Sequence, residues 1–134
     1  MDIFTPKAFL KIGGIILLIV AILGFIGVIG PTEESLFGSA WYFDEAENTA
    51  HFLLGVVALI LFHFGSEGVQ KSVVQILGVL GILVGLFSLF GPVTTGVTLL
   101  GAQLQNPADT ILHLIVGIWA LCAGFCLHKK TQTM

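Results

Sequence analysis

Charge is scarce in this 134-residue chain: 10% of its residues are Asp, Glu, Lys or Arg, while 56% are apolar. Water-soluble domains carry about a quarter charged residues, so a soluble globular fold is excluded. Bases are scarcer still. Lys7, Lys11, Lys71, Lys129 and Lys130 are the whole set of five, and the net charge is -3. With no basic cluster beyond Lys129 and Lys130, nucleic-acid binding is not expected. Only two cysteines occur. Cys122 and Cys126 share a helix face, where their side-chain directions suit a disulfide poorly, and no histidine on neighbouring turns completes a zinc set. The chain has no nucleophile beside a base, no glycine-rich phosphate loop and no pair of catalytic acids within its apolar segments. Thr94, Thr95 and Thr98 have no base near them in sequence. An enzyme is therefore not expected. Nor is a cleaved leader, because the first apolar run is too long for one and lacks a small-x-small cleavage site.

Hydrophobic length is what the chain has in abundance. A bilayer-spanning helix takes about 20 mostly apolar residues, and four such stretches stand out, at 9–29, 49–64, 73–90 and 110–127. The second is short and is expected to begin a few residues earlier or to sit in a thinner membrane. Only helices or closed barrels satisfy the backbone in lipid. The expected fold is all-α, a bundle of four transmembrane helices in one integral membrane domain over 1–134. All five lysines fall on one side of this arrangement, with Lys71 in the short middle loop. The first long loop holds Glu33, Glu34, Asp44, Glu45 and Glu47 and no base. The positive-inside rule then puts both termini in the cytoplasm, and the expected location is a bacterial inner membrane.

The chain also repeats itself. "GFIGVIGP" closes the first stretch and "GLFSLFGP" the third, matching Gly24 to Gly85, Gly30 to Gly91 and Pro31 to Pro92 at one offset. "HFLLGVVAL" from His51 and "HLIVGIWAL" from His113 match at that offset plus one. This predicts two tandem helical hairpins, about 7–64 and 68–128, related by a pseudo-two-fold axis along the membrane normal, a parallel repeat rather than an inverted one. His51 and His113 would then lie at equal depth.

Each of these histidines follows a carboxylate by one turn, Glu47 before His51 and Asp109 before His113, and residues four apart share a face. In a ligand reading, the carboxylate bonds one imidazole nitrogen and the other nitrogen binds haem iron or chlorophyll magnesium. Gly55 and Gly117, one turn deeper, would leave space for the flat macrocycle. The candidate cofactors are haem b or chlorophyll, with His51 and His113 as axial ligands. In a structural reading, the acids are first-turn and capping residues, the glycines let helices approach, and the histidines bond across the pseudo-axis or to loop carbonyls. His63 and His128 read as caps at the opposite helix ends. Gly81 and Gly85 have the small-xxx-small spacing of a packing face, directed into the bundle or towards a partner. Trp41 and Tyr42 in "FGSAWYFDEAEN" mark the membrane interface, on a short surface helix or a docking point.

The paired phrases "ENTAHFLLGVVAL" and "ADTILHLIVGIWAL" resemble a bacterial family of small four-helix membrane proteins catalogued as a domain of unknown function. The run Asp109, His113, Gly117 matches that family's Asp-x-x-x-His-x-x-x-Gly opening of helix four, and Asn48, His51 and Gly55 match the opening of helix two. The resemblance implies the four-helix fold and no activity. The long acidic, aromatic first loop departs from it. Three roles remain open. One is a non-enzymatic accessory or structural subunit of a larger respiratory or photosynthetic membrane complex, with the lipid bilayer and other membrane-protein subunits as partners. The second is a tetrapyrrole protein carrying electrons or excitation. The third is an oligomeric transporter of a small solute or protons.

Overall fold

The computed structural model of the protein describes residues 2–30, 35–91 and 97–126. Four helices, α1 (Pro6–Phe25), α2 (Glu45–Phe64), α3 (Glu67–Leu89) and α4 (Ala108–Phe125), are each long and apolar enough to cross a membrane. The chain is thus all-helical in its spans and reads as a multi-pass membrane protein. The buried share of each apolar stretch is 22–33%, so most of every helix surface faces outward. That suits lipid, which is as apolar as the side chains it meets.

The helices begin before their apolar runs do, because polar first turns are held by caps. Thr5 accepts from the Ala8 N–H at 3.1 Å with Pro6 just behind it, a position where proline's missing N–H costs nothing. Asp44 opens α2 with a capping box: its carboxylate accepts from the Glu47 N–H at 2.8 Å, and the Glu47 carboxylate accepts from the Asp44 N–H at 2.9 Å. Ser66 opens α3 only two residues after α2 ends. Lys71 therefore sits on α3, not in a loop. Gln70 folds back across that short junction and donates from Nε2 to the carbonyls of Leu61, Phe62 and Gly65 at 2.8, 3.3 and 3.2 Å, which satisfies carbonyls that a helix end leaves open.

α1 packs along α2 and α3 along α4, with lighter contact of α1 on α3 and α4. The α3–α4 seam is a glycine seam. A Cβ on Gly78 or Gly85 would press on Leu121 or Leu114, and one on Gly81 would lie 2.9 Å from the Gly117 Cα. The small-xxx-small pair Gly81 and Gly85 thus faces into the bundle. The apolar core is Phe9, Leu10, Ala58, Val74, Ala120 and Ala123, towards the end where the chain enters α1. Phe9 meets the Trp119 ring edge-on with centroids 4.5 Å apart, and Trp119 Nε1 donates to the Ile3 carbonyl at 2.9 Å.

The α3–α4 connection contains a small antiparallel hairpin, β1 (Val97–Leu99) with β2 (Ala102–Leu104). Its turn residues Leu100 and Gly101 have φ of 50° and 86°, the positive pair that two-residue hairpin turns require. In the "FGSAWYFDEAEN" segment, a single 3-10 turn at Gly38–Ala40 is followed by extended chain and then by the first turn of α2 from Glu45, not by a separate amphipathic surface helix. Tyr42 and Phe43 after it are buried.

Candidate functional site

Membrane helices with buried polar groups must satisfy them within the protein, and here such groups gather at the end of the bundle where the two long connections lie. Glu47, Asn48, Ser88, Gln105, Asn106, Asp109 and Thr110 are all buried there. Ser35 starts the arrangement by donating to the Trp41 carbonyl at 3.0 Å. Trp41 then crosses to α4, its Nε1 donating to Asp109 Oδ1 at 3.1 Å. The other carboxylate oxygen of Asp109 accepts from the Gln105 N–H at 2.6 Å. Asp44 makes the reciprocal link from α2, accepting from the Gln103 N–H of β2 at 2.7 Å. The two connections are therefore stitched to each other's helices by two carboxylates.

On the α3–α4 side, Asn106 donates from Nδ2 to the carbonyls of Leu89 and Gly91 at 3.2 and 3.0 Å, closing the end of α3. Thr110 donates to Ser88 across the seam at 2.7 Å. On the α1–α2 side, Asn48 donates to the Phe43 carbonyl at 3.2 Å and lays its amide flat on Gly24, where a Cβ would collide with it. Asn106 and Thr110 were not singled out from the sequence, and Asn48 was noted there only as part of the phrase that opens helix two. The available signal was a polar residue in the first turn of an apolar helix, where a buried side chain can reach its own connection.

The two histidines are brought to this same end, each within two turns of the start of its helix. Glu47 and Asp109 are buried at this end too, with Asp44 bonded to Glu47 through the capping box. The pairing of each histidine with the carboxylate before it is not the one the sequence suggests. His113 uses Nδ1 to bond the backbone carbonyl of Asp109 at 2.7 Å. A carbonyl only accepts, so Nδ1 carries the proton and neutral His113 keeps its lone pair on Nε2. His51 Nδ1 is buried and has no partner. Its ring stands edge-on to Phe43 at 4.8 Å, the end of a row in which Phe37, Trp41 and Phe43 follow one another at 5.1 Å. The carboxylates are spent elsewhere: Glu47 on its capping box, Asp109 on Trp41 and Gln105.

Gly55 and Gly117 do not open a slot beside the rings. A Cβ on Gly55 would meet Leu18 at 2.9 Å and the Gly14 carbonyl at 3.1 Å, and one on Gly117 would meet the Ile82 nitrogen at 2.7 Å. Both glycines are filled by the neighbouring helix of their own hairpin, so they provide no room for a macrocycle there. Among the described residues no group of three or more His, Cys, Asp and Glu is arranged to hold a metal ion. Cys122 and Cys126 are free thiols, half-buried and exposed. His63 is exposed in the last turn of α2. His128, Thr94, Thr95, Glu33 and Glu34 lie outside the described residues. Comparison of the chain with protein-family models, curated proteins and solved structures finds no match.

Proposed function

We propose that the chain is a small, non-enzymatic accessory subunit of a larger membrane assembly, built from two tandem hairpins and oriented with both termini in the cytoplasm. The observation that carries this reading is apolar exposure outside the spans. Leu100 is 97% exposed at the tip of the hairpin, and Leu36 is 76% exposed in the first connection, next to the exposed Phe37. Leu100 also holds φ at 50°, a left-handed backbone that a leucine adopts at a cost and that Gly or Asn adopts readily. An exposed leucine kept in an unfavourable conformation fits a docking knob better than a turn built for stability. The polar groups at the same end support the reading, since their hydrogen bonds hold this platform together and leave few for chemistry.

The test is native electrophoresis of gently solubilised membranes. Wild type is expected to migrate in an assembly well above its own 14.3 kDa, and Leu100→Asn, which suits the turn, is expected to leave that assembly while staying folded. An unchanged assembly in the variant, or a wild type that migrates alone, overturns the reading.

A second reading, a tetrapyrrole bound through His51 or His113, rests on the fixed tautomer of His113, which leaves Nε2 in its ligating form. With Gly55 and Gly117 filled, such a group would have to lie outside the two seams. It requires a Soret band in the purified protein that His113→Ala abolishes. A colourless, folded protein in a detergent that retains tetrapyrroles sinks it.

A further inference from the structure

The opposite end of the bundle holds a feature that the subunit reading does not use. Lys7 and Lys11 lie one turn apart on α1, and both reach to the same ring on α2. Their Nζ atoms stand 5.5 and 5.6 Å from the Phe62 centroid. His63 places its exposed imidazole edge-on to that ring, with centroids 4.7 Å apart. Two ammoniums on one aromatic ring concentrate positive charge at one spot. Cation–π attraction explains how each is held, but not why two should converge against their mutual repulsion.

Nothing described in the protein answers their charge. No carboxylate among the described residues lies within ion-pair distance of either ammonium. At the end of α2, where carbonyls are the natural acceptors for a lysine, those of Leu61, Phe62 and Gly65 are already taken by Gln70. Each ammonium carries three N–H donors and no acceptor. The pair sits where α1 begins and α2 ends, which is the membrane surface if these helices span. Lysine stems there run along the apolar helices and leave the charged heads at headgroup level. Basic pockets between helices at that depth suit phospholipid head groups.

We propose that Lys7, Lys11 and Phe62 form a binding site for the phosphate of an anionic phospholipid, with His63 as a further donor. The two ammoniums take the phosphate oxygens, and the Phe62 ring fixes the spacing of the lysines so that one headgroup meets both. Outward-facing apolar residues of α1 and α2, such as Ile15 and Ile60, take up the acyl chains. The occupant is an acidic lipid, not a zwitterionic one, whose own amine would repel the pair.

The test uses the full chain in nanodiscs of mixed phosphatidylglycerol and phosphatidylcholine, read by native mass spectrometry as bound-lipid adducts. Wild type is expected to retain phosphatidylglycerol in preference to phosphatidylcholine. Lys7→Gln and Lys11→Gln are each expected to cut that preference about fivefold, while Lys71→Gln, at the same end but off the ring, leaves it. Phe62→Leu keeps both charges and is expected to weaken retention as well, which diffuse surface attraction would not. Equal adducts in wild type and the Lys7→Gln/Lys11→Gln double variant overturn the proposal. So does an equal loss in Lys71→Gln, which would make the attraction general. Excess inorganic phosphate at matched ionic strength is expected to leave the adduct in place. Full displacement would mean that the pair reads free phosphate, and the lipid assignment would fall. Helicity by circular dichroism confirms that each variant compared is folded.

Discussion

The same phrase, a histidine followed four residues later by a glycine, opens both α2 and α4, and its two copies do not behave alike. The glycines agree in kind: each is a place where the neighbouring helix packs too close for a side chain. They differ in what approaches. Gly55 faces the Leu18 side chain first, with the Gly14 carbonyl just beyond it, whereas Gly117 faces the backbone of Gly81 and Ile82 first. The histidines differ more. His113 is tied to the carbonyl one turn back, while His51 leaves a buried nitrogen unpaired. Their acids differ too, Glu47 closing a local cap and Asp109 joining the two connections. The apolar half of the phrase thus encodes a helix crossing, and the polar half takes whatever role its own connection assigns.

Substitutions made in parallel in the two copies can break this comparison. The largest difference is expected at the glycines. Gly117→Ala pushes a methyl into backbone that cannot yield and should cost about 2–3 kcal/mol, while Gly55→Ala presses mainly on the Leu18 side chain, which can partly shift, and should cost about 1–2 kcal/mol. Reversible unfolding in mixed micelles would measure both, and equal costs would mean that the two crossings are equally tight. Next come the acids. Asp109→Ala strands the Trp41 Nε1–H and the Gln105 N–H and should cost about 2–3 kcal/mol. Glu47→Ala removes half of a capping box and should cost about 1 kcal/mol. Trp41 fluorescence should shift in the first variant and not in the second.

The histidines should give smaller effects of opposite sense. His113→Leu loses one hydrogen bond, about 1 kcal/mol. His51→Leu removes an unpaired buried nitrogen and should be neutral or slightly stabilising. A clear loss of stability in His51→Leu would show that its nitrogen has a partner in the membrane, and would favour the ligand reading. A small gain is expected at the hairpin tip, where Leu100→Asn relieves the left-handed backbone by about 0.5–1 kcal/mol. No gain in stability there would mean that the turn carries little strain.

The physics of these residues also explains what could be read without coordinates. The four spans were visible because an apolar run of membrane length has few alternatives. Their starts were less so. The first turns of α2 and α3, Glu45–Asn48 and Glu67–Gln70, are polar and drop out of a hydropathy reading, although Asp44 with Glu47 and Ser66 carry the signs of a cap. The hairpin at Val97–Leu104 was hidden because its turn is Leu-Gly, not the Asn-Gly that announces such turns. That His51, His113, Glu47 and Asp109 would meet at one end follows from their matched positions at helix starts. Where the Asp109 carboxylate turns could not be read, because its partners, Trp41 and Gln105, come from connections with no periodic pattern. The inward direction of Gly81 and Gly85 was equally closed to the sequence, since close approach serves a neighbour in the same chain as well as one outside it.

The claim on which most depends is that the exposed leucine at the hairpin tip meets another protein. A photo-crosslinking amino acid at position 100, activated in the native membrane, tests it most directly. A single protein adduct of defined mass, lost when the crosslinker is moved to the lipid-facing position 83 on α3, is the result this account predicts. Adducts to lipid alone, or none at position 100, would contradict it.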